Sequence, residues 1–193
     1  MTPRESCDMG TSLQSSAIDK SIDIRVECSY TAEDRSWLAG GEKDPNQVHS
    51  YQLQWRRTDR LVMVYRAGRL TCHVGLLKHE VEISGEQIWV AGVGSVLTHK
   101  EYRGQGFGRA GLRAAEEFVL KEWGIDFMLL FCRPALEKWY GCLGWFRIDA
   151  PVWIEQDQGE DQGEILAPLP TLVKMLSPKP WPKSAVYLRS LPW

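Results

Sequence analysis

Three glycines at alternate positions, Gly104, Gly106 and Gly108, follow Arg103. They stand between an apolar stretch that ends at Thr98 and an amphipathic pattern that begins at once after them. No other feature constrains the chain so much. Glycine lets the backbone turn tightly and lets a ligand approach its amides. A helix start leaves N–H groups unpaired and carries a partial positive charge. A glycine turn that feeds a helix N-terminus is therefore a site for a phosphate or pyrophosphate.

The surrounding pattern places the turn in a sheet. Ile22, Ile24, Val26 and Cys28 alternate with charged residues, which predicts a half-buried strand. Thr31 with Asp34 marks the start of a short helix, and Gly40 and Gly41 end it. Leu61 to Tyr65 and Leu70 to Ile83 form a predicted hairpin about the turn at 66–69, with a phase shift at Leu76/Leu77 that suits a bulge. Ile88 to Thr98 is a third strand. Its interior glycines, Gly92 and Gly94, mark a distortion or a place where something approaches the backbone. The helix after Gly106 carries Phe107, Gly111, Ala114 and Phe118 on one stripe, widened by Ala115 and Val119, and ends at Gly124. Phe127 to Cys132 reads as a buried central strand, and Pro134 opens a short helix closed by Gly144. Strand follows at Trp145 to Ile148 and Pro151 to Glu155. Then come an acidic loop from Glu155 to Glu164, a short helix at Leu172 to Leu176 and a last strand near Ala185 to Leu188. The expected fold is α/β of the α+β type, a mixed, mostly antiparallel sheet with helices on both faces. Met1 to Lys20, polar and aperiodic, reads as a flexible tail ahead of a single domain spanning 21–193.

Composition narrows the partners. With 44% hydrophobic residues the chain can build a core, and its net charge of −2 without a basic block argues against nucleic acid. No apolar run approaches the roughly 18 residues of a membrane span, and the N-terminus lacks the apolar core of a secretory signal. The five cysteines have no C-x-x-C spacing, which points to reduced thiols in a cytoplasmic protein and to no metal site. Nine tryptophans are compatible with a core or with a binding cleft.

Two phosphate-binding patterns compete at the turn. Gly106 to Gly111 matches G-x-G-x-x-G, with Asp126 about 20 residues downstream, as in dinucleotide folds. That pattern requires a strand running directly into the first glycine and a β-α-β order, and here hairpin strands precede it. The other pattern is Arg103-Gly104-Gln105-Gly106-Phe107-Gly108, preceded by Thr98-His99-Lys100-Glu101-Tyr102. It resembles the acetyl-coenzyme A signature of the GCN5-related N-acetyltransferases. The second element of that resemblance is Trp139-Tyr140-Gly141-Cys142-Leu143-Gly144-Trp145, 37 residues on from Arg103 to Tyr140.

The resemblance implies an acetyl-coenzyme A-dependent N-acetyltransferase. The amides of Arg103, Gly104, Gln105, Gly106, Phe107 and Gly108 would cradle the pyrophosphate. The backbone of Val96, Leu97 and Thr98 would pair with the pantetheine arm, which requires their strand to splay from Phe127–Cys132. Tyr140 would be the general acid that protonates the coenzyme thiolate, in a direct transfer that needs no cysteine nucleophile. Some family members carry a base nine residues before the motif arginine, and that position is Gly94. Glu80 and Glu82 are the nearest alternative carboxylates. His99 reads as a solvated loop residue, and His73 and His79 as ordinary strand residues. Arg133 stands where the family often has an asparagine near the coenzyme.

The acceptor is then a small-molecule or peptide amine, taken by a monomer or homodimer. The hairpin, its spacing to the motif and the final Trp193 are also similar to aminoglycoside 2′-N-acetyltransferases, and the acidic 155–164 segment would suit a polycation. A non-catalytic acetyl-coenzyme A sensor or scaffold is the alternative.

Overall fold

The computed structural model describes residues 22–158 and 161–193; the tail expected over 1–20 lies outside the described residues. Strand β1 (Ile22–Glu27) leads into helix α1 (Ala32–Ala39). The Thr31 hydroxyl caps α1 by accepting from the Asp34 amide at 3.0 Å, and Gly40 closes it in the left-handed conformation. Strands β2 (Arg60–Arg66), β3 (Arg69–Ile83) and β4 (Glu86–Thr98) then form an antiparallel meander. Helix α2 (Phe107–Phe118) follows the glycine turn and unwinds through a π-type turn at Val119–Trp123 to left-handed Gly124. Strand β5 (Phe127–Phe131) returns parallel to β4, and helix α3 (Glu137–Gly141) comes after a 3₁₀ turn begun by Pro134. Strands β6 (Phe146–Arg147), β7 (Val152–Gln158), β8 (Asp161–Leu166), β9 (Thr171–Met175) and β10 (Val186–Tyr187) complete the chain.

All ten strands belong to one sheet, in the order β6-β9-β5-β4-β3-β10-β7-β8. The β1–β2 pair branches from the first half of β3. The long β3 makes this branching possible, pairing with β2 near its start and with β10 at Glu82 and Ile83. Alternating side chains supply two core faces. Val62, Val74, Leu76, Ala91, Val93, Met128 and Leu130 pack beneath Leu112 and Ala115 of α2 and Val119 of the turn after it. On the opposite face Leu38 of α1 meets Leu61, Met63 and Leu70. Farther along, Leu77, Val90, Leu129 and Val173 meet the C-terminal segment through Val186, Leu188 and Trp193. Helices thus lie on both faces of a curled, mostly antiparallel sheet.

Several local expectations are corrected. β1 is an edge strand whose Ile24 and Val26 are 40% and 37% exposed, because it has a neighbour on one side only. The buried stripe of α2 runs through Phe107, Gly111, Leu112 and Ala115, with Ala114 and Phe118 at its margin. Within the segment expected as a loop, residues 155–158 and 161–164 pair as β7 and β8, since charged side chains are tolerated on a sheet edge. Leu172 to Met175 is strand β9, inserted between β5 and β6; its apolar run suits a buried strand as well as a helix. The irregularity expected at Leu76/Leu77 lies instead opposite His73–Gly75. There β4 carries one extra residue and Ser95 takes φ 51°.

Candidate active site

The bulge at Ser95 determines where the sheet opens. β4 and β5 pair only at Ala91–Val93 with Met128–Leu130. Beyond Val93 the β3-facing edge of β4 stays paired through Leu97 and Thr98, whereas no register with β5 continues. Unpaired backbone groups on that edge need partners from solvent or from a ligand. A cleft of about 680 Å³ begins at this point. It is lined by Val96, Leu97 and Thr98 on one side and by the whole turn from Arg103 to Gly108 at its end.

The turn is built for close approach. Gly104 (φ 76°) and Gly106 (φ 88°) are left-handed, and a Cβ at either would meet nothing within 4 Å, so the turn is open on the side where side chains would stand. Gly106 is the N-cap of α2, with no side chain capping it, and the first helical amides stay available there. The Arg103 side chain turns back to brace the motif. Its Nε donates to the Thr98 carbonyl at 3.1 Å and its guanidinium pairs with Glu42 at 2.9 Å. Gln105 donates to the Glu101 carbonyl at 2.8 Å.

A second cavity, of about 310 Å³, adjoins the first and shares Pro45, Asn46, Val96, Arg133, Leu136 and Tyr140 with it. Its roof is the segment 43–56, and its floor includes Val93, Gly94, Ser95, Phe131, Cys132 and Trp193. The roof is tied to the C-terminal segment by the Arg56 amide, which donates to the Pro192 carbonyl at 2.7 Å. Trp193 is 4% exposed. Its indole lies over Gly92 and donates to the Leu129 carbonyl at 3.2 Å, and its main-chain carbon would sit 2.9 Å from a Cβ at position 94. The two interior glycines of β4 thus make room for Trp193.

Tyr140 lines both cavities. It sits on α3, held by Leu143 and Trp145 amides that donate to its carbonyl at 2.8 and 3.2 Å, and it packs edge-on against Trp139 and Trp145. Its side chain is 5% exposed, its hydroxyl has no hydrogen-bond partner among the described residues, and burial pushes its pKa up. A phenol so placed keeps its proton at neutral pH and can give it to a thiolate formed beside it. Cys132, in the same cavity, is pushed up to about 12 by burial, and Cys72 to about 11, so neither supplies a thiolate nucleophile.

The structure therefore gathers all nine residues expected to bind the donor, together with Tyr140, around one cleft. It does not bring Glu80 or Glu82 there. Glu80 is exposed and faces Trp89, five residues (about 16 Å of strand) from Gly94, and Glu82 is tied to Arg189 at 3.1 Å. His99 is not solvated as expected. It is 2% exposed, stacked on Trp37 at 4.2 Å, and its Nδ1 accepts from the Glu101 amide at 3.3 Å. His79 also does more than fill a strand. Its Nε2 meets the Leu188 carbonyl at 2.6 Å and its Nδ1 accepts from Arg56 at 3.0 Å, which fastens the C-terminal segment. The sequence reading missed the roof segment and the placement of Trp193. The glycine pair at 92 and 94 was the available signal.

A sequence model described as an acetyltransferase (GNAT) domain matches residues 15–148. The chain belongs to the GNAT acetyltransferase family. No curated protein sequence matches it. Among solved structures it is similar to the GNAT family N-acetyltransferase YhbS of Escherichia coli, in complex with CoA. That match is 18% identical, covers 88% of this chain and 90% of that one, and has a TM-score of 0.58. An acyl-CoA N-acyltransferase from Pseudomonas aeruginosa is 17% identical over 80% of this chain and 99% of that one, with a TM-score of 0.51. At these identities the likeness is one of fold. Among the described residues no helix is long and apolar enough to cross a membrane, and no group of side chains is arranged to hold a metal ion.

Proposed function

We propose that the protein transfers an acetyl group directly from acetyl-coenzyme A to a primary amine of a small molecule, with Tyr140 as general acid. The observation that carries this reading is that Tyr140 lines both the cleft of the glycine turn and the smaller cavity beside it. Donor and acceptor would enter from opposite sides and meet at the phenol. The pyrophosphate would lie against the amides of Arg103 to Gly108, which line the cleft where α2 begins with no side chain capping its N-terminus. The pantetheine amides would pair with Val96 to Thr98 on the edge of β4 that lacks a β5 partner.

The acceptor nitrogen, entering neutral, attacks the thioester carbonyl carbon and forms the C–N bond. Unpaired N–H groups of β4 stabilise the developing oxyanion. Collapse breaks the C–S bond, and the sulfur takes the Tyr140 proton. The surplus proton on nitrogen leaves to water, and Tyr140 is reprotonated from solvent. A carboxylate base projecting from position 94 is absent, since the main chain of Trp193 fills that space.

The test is release of free thiol from acetyl-coenzyme A across a panel of amines, with calorimetric binding of the coenzyme in parallel. The reading expects amine-dependent thiol release that falls about 10²-fold or more in Tyr140→Phe with coenzyme affinity retained. Coenzyme binding with no thiol release from any amine would instead favour a sensor or scaffold.

A further inference from the structure

We infer that the acceptor amine carries an anionic group, a carboxylate or a phosphate, received by Lys43, Arg56 and Arg133. This rests on the smaller cavity being the acceptor side of Tyr140. All three cations line that cavity, Arg133 at its junction with the larger cleft, and among the described residues none has a carboxylate within ion-pair distance. Arg133 is the most telling. One terminal nitrogen donates to Gln47 at 2.6 Å, while its Nε is shut off from solvent with no partner. A guanidinium has five N–H donors in a planar fork that matches a carboxylate or phosphate, and a buried donor left unpaired is costly.

The acid in the wall offsets only part of this charge. Asp44 accepts from the His49 amide at 2.9 Å; burial pushes its pKa up, but the His49 and Val48 amides, the His49 ring and the Gln47 amide together bring it below the ordinary value. Even with a carboxylate on Trp193 counted, three cations face two anions. A polycationic amine would meet like charge here. The volume of about 310 Å³ also suits a molecule of amino-acid size rather than an oligosaccharide. Trp55, Phe131 and Trp193 supply apolar walls for its body.

The experiment uses matched amines whose reacting nitrogen is alike. The pairs are 4-(aminomethyl)benzoate against 4-(aminomethyl)benzamide and glucosamine 6-phosphate against glucosamine, with tobramycin as the polycation. With acetyl-coenzyme A saturating, kcat/KM for the anionic member should exceed its neutral partner by about tenfold or more, equivalent to one charge-assisted contact. The arm in which this occurs identifies carboxylate or phosphate. Arg56→Gln and Arg133→Gln should each bring the ratio toward one. Equal rates within both pairs, or tobramycin as the best acceptor, would overturn the inference. If no amine releases thiol, the catalytic reading fails by itself. Calorimetry with 4-(acetamidomethyl)benzoate and its amide then decides the anion site: tighter binding of the acid, lost in Arg56→Gln, upholds it, and equal binding refutes it.

Discussion

Replacing Gly92 by alanine tests whether the β4 glycines exist to seat Trp193. An ideal Cβ there would lie 2.3 Å from the indole Cε2, 2.6 Å from Nε1 and 2.7 Å from Cδ2. Carbon atoms in contact normally stand about 3.5–4.0 Å apart, so the indole must withdraw by more than about 1 Å. Withdrawal breaks its hydrogen bond to the Leu129 carbonyl and loosens its edge contacts with His79 and Phe131. Overpacking of this kind costs about 1–3 kcal/mol, and full loss of a buried tryptophan about 3–5 kcal/mol. The expected loss is about 2 kcal/mol, or ~4–8 °C in Tm for a chain of this size. Denaturant unfolding measures it, and a double-mutant cycle isolates the cause. In a Trp193→Ala background the new methyl group meets no indole, and the glycine-to-alanine change then gains up to about 1 kcal/mol by restricting the unfolded chain. The coupling should therefore be about 2 kcal/mol or more. An equal loss in both backgrounds would show that Gly92 serves the backbone and not the indole.

Further expectations concern charge and the donor site. His73 is buried, its Nδ1 has no hydrogen-bond partner, and desolvation lowers its pKa to about 4 against an ordinary 6.5. The unfolded chain therefore binds this proton first as pH falls, so stability is full above pH 6.5 and declines toward pH 4, by about 3 kcal/mol from this group. Chemical denaturation across that range should show the decline, and His73→Leu should flatten it. Tyr140 is shifted the other way by burial. Its acid function should persist to at least pH 10, so kcat should not fall on the alkaline side for want of this proton, and a fall reversed in no other variant would refute its role. Its raised pKa costs stability only above pH 10, where the unfolded phenol ionises first. Gly106→Asp forces a carboxylate-bearing residue into φ 88° at the mouth of the turn. The donor reading expects loss of calorimetric coenzyme binding by at least about 100-fold, through strain and charge repulsion, and unchanged affinity would remove the pyrophosphate from this site.

What could be read beforehand depended on how far apart the interacting residues lie in the chain. The glycine turn, the Thr31 cap and the Pro134-to-Gly144 helix are local, each specified within a dozen residues, and each stands where the sequence places it. The cleft along the glycine turn was equally legible as a place, because Val96 to Gly108 supplies the strand edge and the turn in one continuous run. The acceptor side is different in kind. It is closed by residues 43–56 from one end of the chain and Trp193 from the other, brought together over β4. The glycines at 92 and 94 announced that something approaches the backbone, but nothing local could say that the visitor lies about a hundred residues away. The same limit explains β9. Thr171–Met175 is an apolar run that local pattern leaves open between strand and helix, and its place between β5 and β6 is settled only by edges that other elements provide. Glu80 and Glu82 lie away from the cleft for a related reason. Nearness in sequence to the motif strand put them on the hairpin partner of β4, but antiparallel pairing carries them toward Gln87 and Trp89, away from the opening at Gly94. In this fold the proposed donor site is a local property of the chain, and the proposed acceptor site is a property of its topology.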